Sequence, residues 1–245
     1  MHKSLDPLQS AVNRFIQRSM HNEISDLSDS PPPDRRTRGR PREFDRRAAL
    51  AAATLLFWTK GYEATSIADL TDAMGIGTKS LYAAFGSKDA LYAEALHYYY
   101  TSYEGLVWDR FRNAATAREA ASVFLQDSAS AMTGADSDLP RGCMAALATV
   151  GSEGHAELDE LMRTTRTGGF ELLRARFDRA KDEGDLEAAA DTTKLARYVQ
   201  IVQGGMAIRA RDGAERAELE AVAEIALAGW DHITDAIGRG GPGEP

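Results

Sequence analysis

The sequence predicts an all-α protein in two parts, a small N-terminal helix-turn-helix domain followed by a larger helical domain. Three observations predict it. Apolar residues recur at helical spacing from Phe44 to Ile237, with no period-2 run and no strand–helix alternation. Glycine, proline and acidic clusters at Gly134–Pro140, Gly151–Gly154, Glu183–Asp185 and Arg211–Gly213 cut this pattern into pieces of helical length. Near its start, two short striped segments stand only Gly75-Ile76-Gly77 apart, the spacing of a helix-turn-helix.

Taken in order, residues 1–34 read as a disordered extension. Asn22–Asp34 is rich in Ser, Asp and Pro and ends in Pro31-Pro32-Pro33, which cannot continue a helix. A first helix is expected from Phe44 to Gly61, striped by Ala48, Leu55 and Trp58, with the glycine as its stop. Thr65 or Ser66 caps a second, Ile67–Met74, whose Ile67, Leu70 and Met74 share one face. The third, Thr78–Phe85, sets Leu81 and Phe85 inward and Thr78, Lys79, Tyr82 and Ala83 outward. Ser87 caps a long fourth helix running toward Phe111, and further helices are expected near Arg118–Met132, Cys143–Gly151, Ala156–Lys181, Thr192–Arg211 and Glu215–Ile237. The resulting division is 1–34 extension, 35–90 basic arm and helix-turn-helix, 91–245 helical domain.

Composition narrows the function. The 245 residues are 43 % hydrophobic and 27 % charged, which excludes collagen-like composition and disorder throughout. Uncharged stretches such as Met144–Ser152 fall well short of the roughly 20 apolar residues of a membrane span. Charges interrupt the first residues often enough to leave no apolar secretion core, so a cytoplasmic protein without membrane association is expected. Cys143 is the only cysteine, which rules out an intrachain disulfide and a multi-thiolate metal site. The five histidines (His2, His21, His97, His155, His232) are scattered, and no zinc-protease helix, phosphate loop or nucleophile elbow occurs. No enzyme, metal or cofactor is therefore expected.

The charge of −8 is unevenly spread, at +2 over residues 1–90 and −10 over 91–245. Arg35–Arg47 alone carries seven arginines against Glu43 and Asp45. An acidic chain that gathers arginine in one stretch is built to meet a polyanion there. Arg38-Gly39-Arg40-Pro41-Arg42 suits a narrow A·T-rich minor groove, and the outer face of Thr78–Tyr82 suits a major groove. Two separate signals thus point to double-stranded DNA.

Residues 44–90 resemble the N-terminal domain of the TetR/AcrR family of bacterial transcriptional regulators. The resemblance is carried by Ala52, Phe57, Gly61-Tyr62, Thr65-Ser66-Ile67, Leu70, Gly75-Ile76 and Leu91, and most specifically by Ser80-Leu81-Tyr82-Ala83-Ala84-Phe85-Gly86-Ser87-Lys88. Thr71 and Gly77 depart from the usual pattern, at positions where alanine and a Ser or Thr cap are common. The resemblance implies roles. Thr65 and Ser66 would meet a phosphate at a helix N-terminus. Thr78, Lys79, Ser80 and Tyr82 would face DNA, with Lys79 on a guanine edge and Tyr82 on a phosphate or thymine methyl. Lys88 would clamp the backbone. Each has a structural alternative: Ser66 as a cap only, Tyr82 packed on the preceding helix, Lys88 merely solvated.

The resemblance also implies that the C-terminal part holds a small-molecule effector and forms a homodimer through its last two helices. Tyr99, Tyr103, Trp108, Phe111, Cys143, Met144, Leu147, Met162, Thr165 and Phe170 are the effector candidates, with core packing as the competing role. Leu195, Val199, Val202 and Met206 on one helix, with Leu219, Val222, Ile225, Ala226 and Ile233 on the next, form stripes that can be buried in one core or against a symmetry mate; the resemblance favours the mate, and Gly204-Gly205 permits close approach. The expected function is that of a repressor released from a palindromic operator by an effector. The alternative is a DNA-binding dimer whose C-terminal domain only oligomerises.

Overall fold

The computed structural model describes residues 44–134, 139–147 and 155–239, with side chains through Asp235. Among them every regular element is helical. The elements are α1 Arg46–Lys60, α2 Ile67–Met74, α3 Thr78–Phe85, α4 Lys88–Tyr103, α5 Gly105–Asn113, α6 Ala117–Thr133, α7 Met144–Leu147, α8 Ala156–Asp182, α9 Thr192–Arg211, α10 Arg216–Ala228 and α11 Trp230–Arg239. Two expected helices are each divided. The fourth breaks around Glu104 into α4 and α5, and the last breaks at Gly229 into α10 and α11. A glycine stands at both breaks, Gly105 and Gly229, and glycine is about 1 kcal/mol worse than alanine inside a helix. The expected extension at 1–34, Arg38, Arg40 and Arg42 lie outside the described residues.

The chain forms two compact units, Met1–Tyr99 with Thr149–Met162, and Tyr100–Ala148 with Arg163–Pro245. The division falls inside α4 and α8. In the first unit, Phe57, Tyr62 and Tyr92 meet edge to face or stacked, with Phe57–Tyr92 centroids 5.0 Å apart and Tyr62–Tyr92 5.2 Å. Leu70 of α2 and Leu81 of α3 are fully buried in this unit, to which Leu158, Leu161 and Met162 of α8 also belong. Burying a leucine or phenylalanine side chain contributes about 1.5–3 kcal/mol, so these few residues hold a small unit together.

The second unit is built differently. Phe111, Phe124, Phe170, Leu173, Phe177, Leu195, Val199, Met206, Leu219 and Trp230 form its core, interleaved with alanines at 117, 120, 121, 129, 196, 207 and 210 that let helices approach closely. Arg141 staples it. Its Nε donates to the Ala210 carbonyl at 2.9 Å, Nη1 to Thr133 at 3.2 Å and Nη2 to Ala214, so one guanidinium satisfies carbonyls around the ends of α6 and α9. Gly142 follows with φ +83°, where a Cβ would stand 2.5 Å from the Leu147 side chain. The segment Arg141–Met144 thus packs the ends of α6 and α9 against α7.

Candidate nucleic-acid interface

The geometry of α2 and α3 is fixed by caps close in sequence. Ser66 and Asp69 form a capping box: the Ser66 hydroxyl accepts from Asp69 N at 3.1 Å, and Asp69 Oδ2 accepts from Ser66 N at 2.9 Å. Lys60 closes the far side on Asp69 Oδ1 at 2.9 Å. The Ser66 backbone N–H, then Lys60 and the Ser66 hydroxyl, lower the Asp69 pKa to about 2. Gly75 takes the left-handed conformation, φ +65° and ψ 29°, and turns the chain; Gly77 then starts α3.

From that turn, Leu81 and Phe85 point inward, while Thr78, Lys79, Ser80, Tyr82 and Ala83 are exposed on one surface. The outward face is polar at its N-terminal end, where side chains of a groove-reading helix contact base edges. Ser66 is exposed but its hydroxyl serves the cap. Thr65 is buried, and its hydroxyl donates to the Gly61 carbonyl at 2.6 Å, so its side chain closes the α1–α2 turn. Lys88 places its Nζ 4.1 Å from the Tyr62 ring centroid, with burial lowering its pKa. As placed, the ammonium serves the unit's own packing.

Two polar groupings had no signal in the sequence. Tyr62, its pKa raised chiefly by burial and then by Asp89, donates to the Asp89 carboxylate, and His155 Nδ1 stands 3.4 Å from both groups. This grouping ties the starts of α4 and α8 to the α1–α2 turn. The other joins Arg46 to Glu94 at 2.7 Å. Neither pairing has a helical period or a motif, because its members meet only through the tertiary fold.

The effector candidates separate. Trp108 and Phe111 form a ring cluster with Phe124 in the second unit, at centroid distances of 4.7–5.8 Å, and a Cβ on Gly169 would stand in ordinary contact, 3.9 Å, with Trp108. Cys143 and Leu147 pack half-buried on the same core, Met144 is buried, and Phe170 carries the Arg197 guanidinium 4.0 Å above its ring. Arg211, distant in sequence, comes within electrostatic reach of Cys143. Thr165 is buried and Tyr103 half-buried. Tyr99 and Met162 belong to the first unit, where Tyr99 meets Trp58 edge-on at 4.8 Å and the Tyr92 hydroxyl lies 3.9 Å from the Met162 sulfur. Among the described residues, no group of three or more His, Cys, Asp or Glu is placed to hold a metal, and no helix is long and apolar enough to cross a membrane.

The expected dimer stripes are corrected by the fold. Leu195, Val199 and Met206 of α9, with Leu219 and Ala226 of α10, are buried in the chain's own core, and Val202 and Ile233 pack against it. Of the expected stripe only Val222 and Ile225 on α10 stay outward, and they are joined on α9 by Ile201 and Ile208, which the stripe did not include, with Ile201 66 % and Ile225 75 % exposed. The reason is that an apolar residue count does not say which of two adjacent stripes faces the interior.

Comparison with known proteins decides the family. A family model described as bacterial regulatory proteins, tetR family, matches residues 49–95. A cysteine-substituted form of the TetR family transcriptional regulator CifR, solved with 26-base-pair double-strand operator DNA, is 38 % identical over 78 % of this chain and 98 % of that one, with a TM-score of 0.73. The chain belongs to the TetR family. The HTH-type transcriptional repressor ComR of Escherichia coli (strain K12) is 31 % identical over 84 % of this chain and 98 % of its own length. BdcR, another HTH-type transcriptional repressor of that strain, is 50 % identical over 64 residues, 26 % of this chain and 32 % of its own. This TetR-family member is a DNA-binding transcriptional regulator and not an enzyme.

Proposed function

We propose that the chain is a repressor that binds a palindromic operator as a homodimer and leaves it when the C-terminal unit takes up a small molecule. The observation that carries the reading is the exposed polar face Thr78, Lys79, Ser80 and Tyr82 on a helix anchored by Leu81 and Phe85. One such helix reads too few bases, and two-fold symmetry in the protein requires a matching dyad in the DNA, with half-sites about 34–36 Å apart. Ser66 caps α2 and Lys88 packs on the Tyr62 ring, so both hold the unit that presents this face, while Arg38, Arg40 and Arg42 would add minor-groove contacts. The CifR–operator complex and the repressor names of ComR and BdcR support repression.

Dimerisation is supported by Ile201, Ile208, Val222 and Ile225, which a monomer would leave in water. A Cβ built on Gly204 or Gly205 meets nothing within 4 Å, so this part of α9 is open to a neighbour. Effector binding is supported by the buried hydroxyls of Ser128 and Thr165, which have no hydrogen-bond partner among the described residues. The tight ring packing of Trp108, Phe111 and Phe124 favours the second reading, a dimer that senses nothing.

The test is to select duplexes from a random-sequence pool with the full chain and footprint the winners. A dyad-symmetric footprint is expected, and one without a dyad overturns the dimeric reading. Deleting residues 1–42, but not 1–34, should lower the log–log salt slope by up to about 0.9 for each lost arginine contact. A metabolite library that neither raises the melting temperature nor releases the selected duplex leaves the second reading standing.

A further inference from the structure

Arg46 is the next-to-last arginine of the arginine-rich run, and its charge suggests one more phosphate contact. Its geometry assigns it elsewhere. Nε and Nη2 converge on the Ala84 carbonyl at 3.4 and 3.1 Å, and Nη2 also donates to Glu94 Oε1 at 2.7 Å. The guanidinium carbon stands 4.3 Å from the centroid of the Phe85 ring. Ala84 lies in the last turn of α3, where carbonyls have no helical partner; those of Tyr82 and Phe85 are met by the N–H groups of Gly86 and Ser87. The Ala84 carbonyl is met by Arg46. Glu94, on α4, is largely buried while Arg46 is half-exposed.

One guanidinium therefore grips the C-terminal end of α3 by a carbonyl and a ring, and anchors that end to α4. The groups proposed to read DNA lie at the other end. Eight residues of helix span about 12 Å, so a tilt of roughly 5° about the gripped end moves Thr78 and Lys79 by about 1 Å. That is enough to lose hydrogen bonds to base edges, whose donor–acceptor window is only about 0.5 Å wide, whereas long flexible side chains can still follow a phosphate. We propose that Arg46 is a positioning residue for operator discrimination: by tying α3 to Glu94 it sets the pitch of the helix in the groove without touching DNA. A lysine could keep the charge, but it has neither the fork for a shared carbonyl and carboxylate nor the planar group that stacks on Phe85.

The inference rests on α3 being the reading helix, and the experiment separates the two. Using the full chain, Arg46→Lys, Arg46→Gln, Glu94→Ala and Lys79→Ala are compared for affinity to the selected duplex and to a random duplex across a salt series, with melting temperatures alongside. Arg46→Lys and Glu94→Ala should each lower the ratio of selected to random affinity by roughly 5-fold or more, the loss of at least one base contact. The salt slope of Arg46→Lys should stay unchanged, because no phosphate contact is removed. A phosphate-binding Arg46 gives the opposite pattern: Arg46→Lys keeps the ratio, and Glu94→Ala, by removing a negative charge and freeing Arg46, strengthens binding to both duplexes. Either result overturns the proposal, as does a fall in melting temperature with an unchanged ratio. If Arg46→Gln does not fold, Arg46→Lys and Glu94→Ala still decide. If Lys79→Ala leaves the ratio unchanged while the Arg46 variants lower it, the assignment of Lys79 fails instead.

Discussion

The α2–α3 pair and the α9–α10 pair both present a face to the outside, and they are built in opposite ways. The outward face of α3 is polar, and its shape comes from neighbours in sequence: the Ser66–Asp69 capping box, the left-handed Gly75 and the Gly77 start. The outward face of α9 and α10 is apolar, and these helices are held by residues far along the chain, Arg141 on the Ala210 and Ala214 carbonyls and Tyr198 on the Ala226 carbonyl at 2.7 Å. The difference follows from what each face is proposed to meet. A polyanion is met by donors on a rigid frame, and local caps make a short helix rigid. A second copy of the chain is met by apolar area, which is stable only when the partner covers it.

The comparison can be broken most strongly at Leu81, which is fully buried under α3. Leu81→Ala should destabilise the first unit by about 2–5 kcal/mol, read by thermal melting. A loss below about 1 kcal/mol would show that the caps alone hold the pair. On the other face, Ile201→Glu with Ile225→Glu should weaken self-association by at least about 2 kcal/mol in analytical ultracentrifugation. The monomer fold should change little, since both residues point outward. A dimer of unchanged affinity would place the interface elsewhere.

Smaller effects sharpen the polar side. Lys79→Ala should weaken operator binding by about 1–3 kcal/mol and relax discrimination at one position per half-site. Equal losses on selected and random DNA would mark a phosphate contact instead. The smallest effect is expected at Asp69. Its pKa is lowered to about 2 in the folded chain, below the ordinary carboxylate value, so its contribution to stability is complete above about pH 4 and lost as pH falls through 2. Asp69→Asn should therefore narrow the stability gap between pH 5 and pH 2, measured by denaturant titration at each pH. An unchanged acid profile would show that the capping carboxylate contributes nothing measurable.

Much of the interface was legible before folding. Thr78–Phe85 separates an apolar side from a polar one within eight residues, and glycine stands where the turn needs positive φ. Thr65 was less legible, because a hydroxyl at a helix start serves a phosphate or its own turn equally well, and only its burial against the Gly61 carbonyl shows which. Arg46 was not legible: nothing in an arginine run marks the member that folds back onto Phe85 and Glu94.

The sequence by itself determined the helices, most of their ends and the polarity of α3, since period, caps and glycine stops act over a few residues. The tertiary structure alone decided which apolar stripe of α9 and α10 turns inward, which arginine binds carbonyls, and how Tyr62, Asp89 and His155 come together. The physical reason is range. A cap or a helical stripe is specified by neighbours three or four residues away, whereas burial and long-range pairing depend on what another segment presents after the chain has closed on itself.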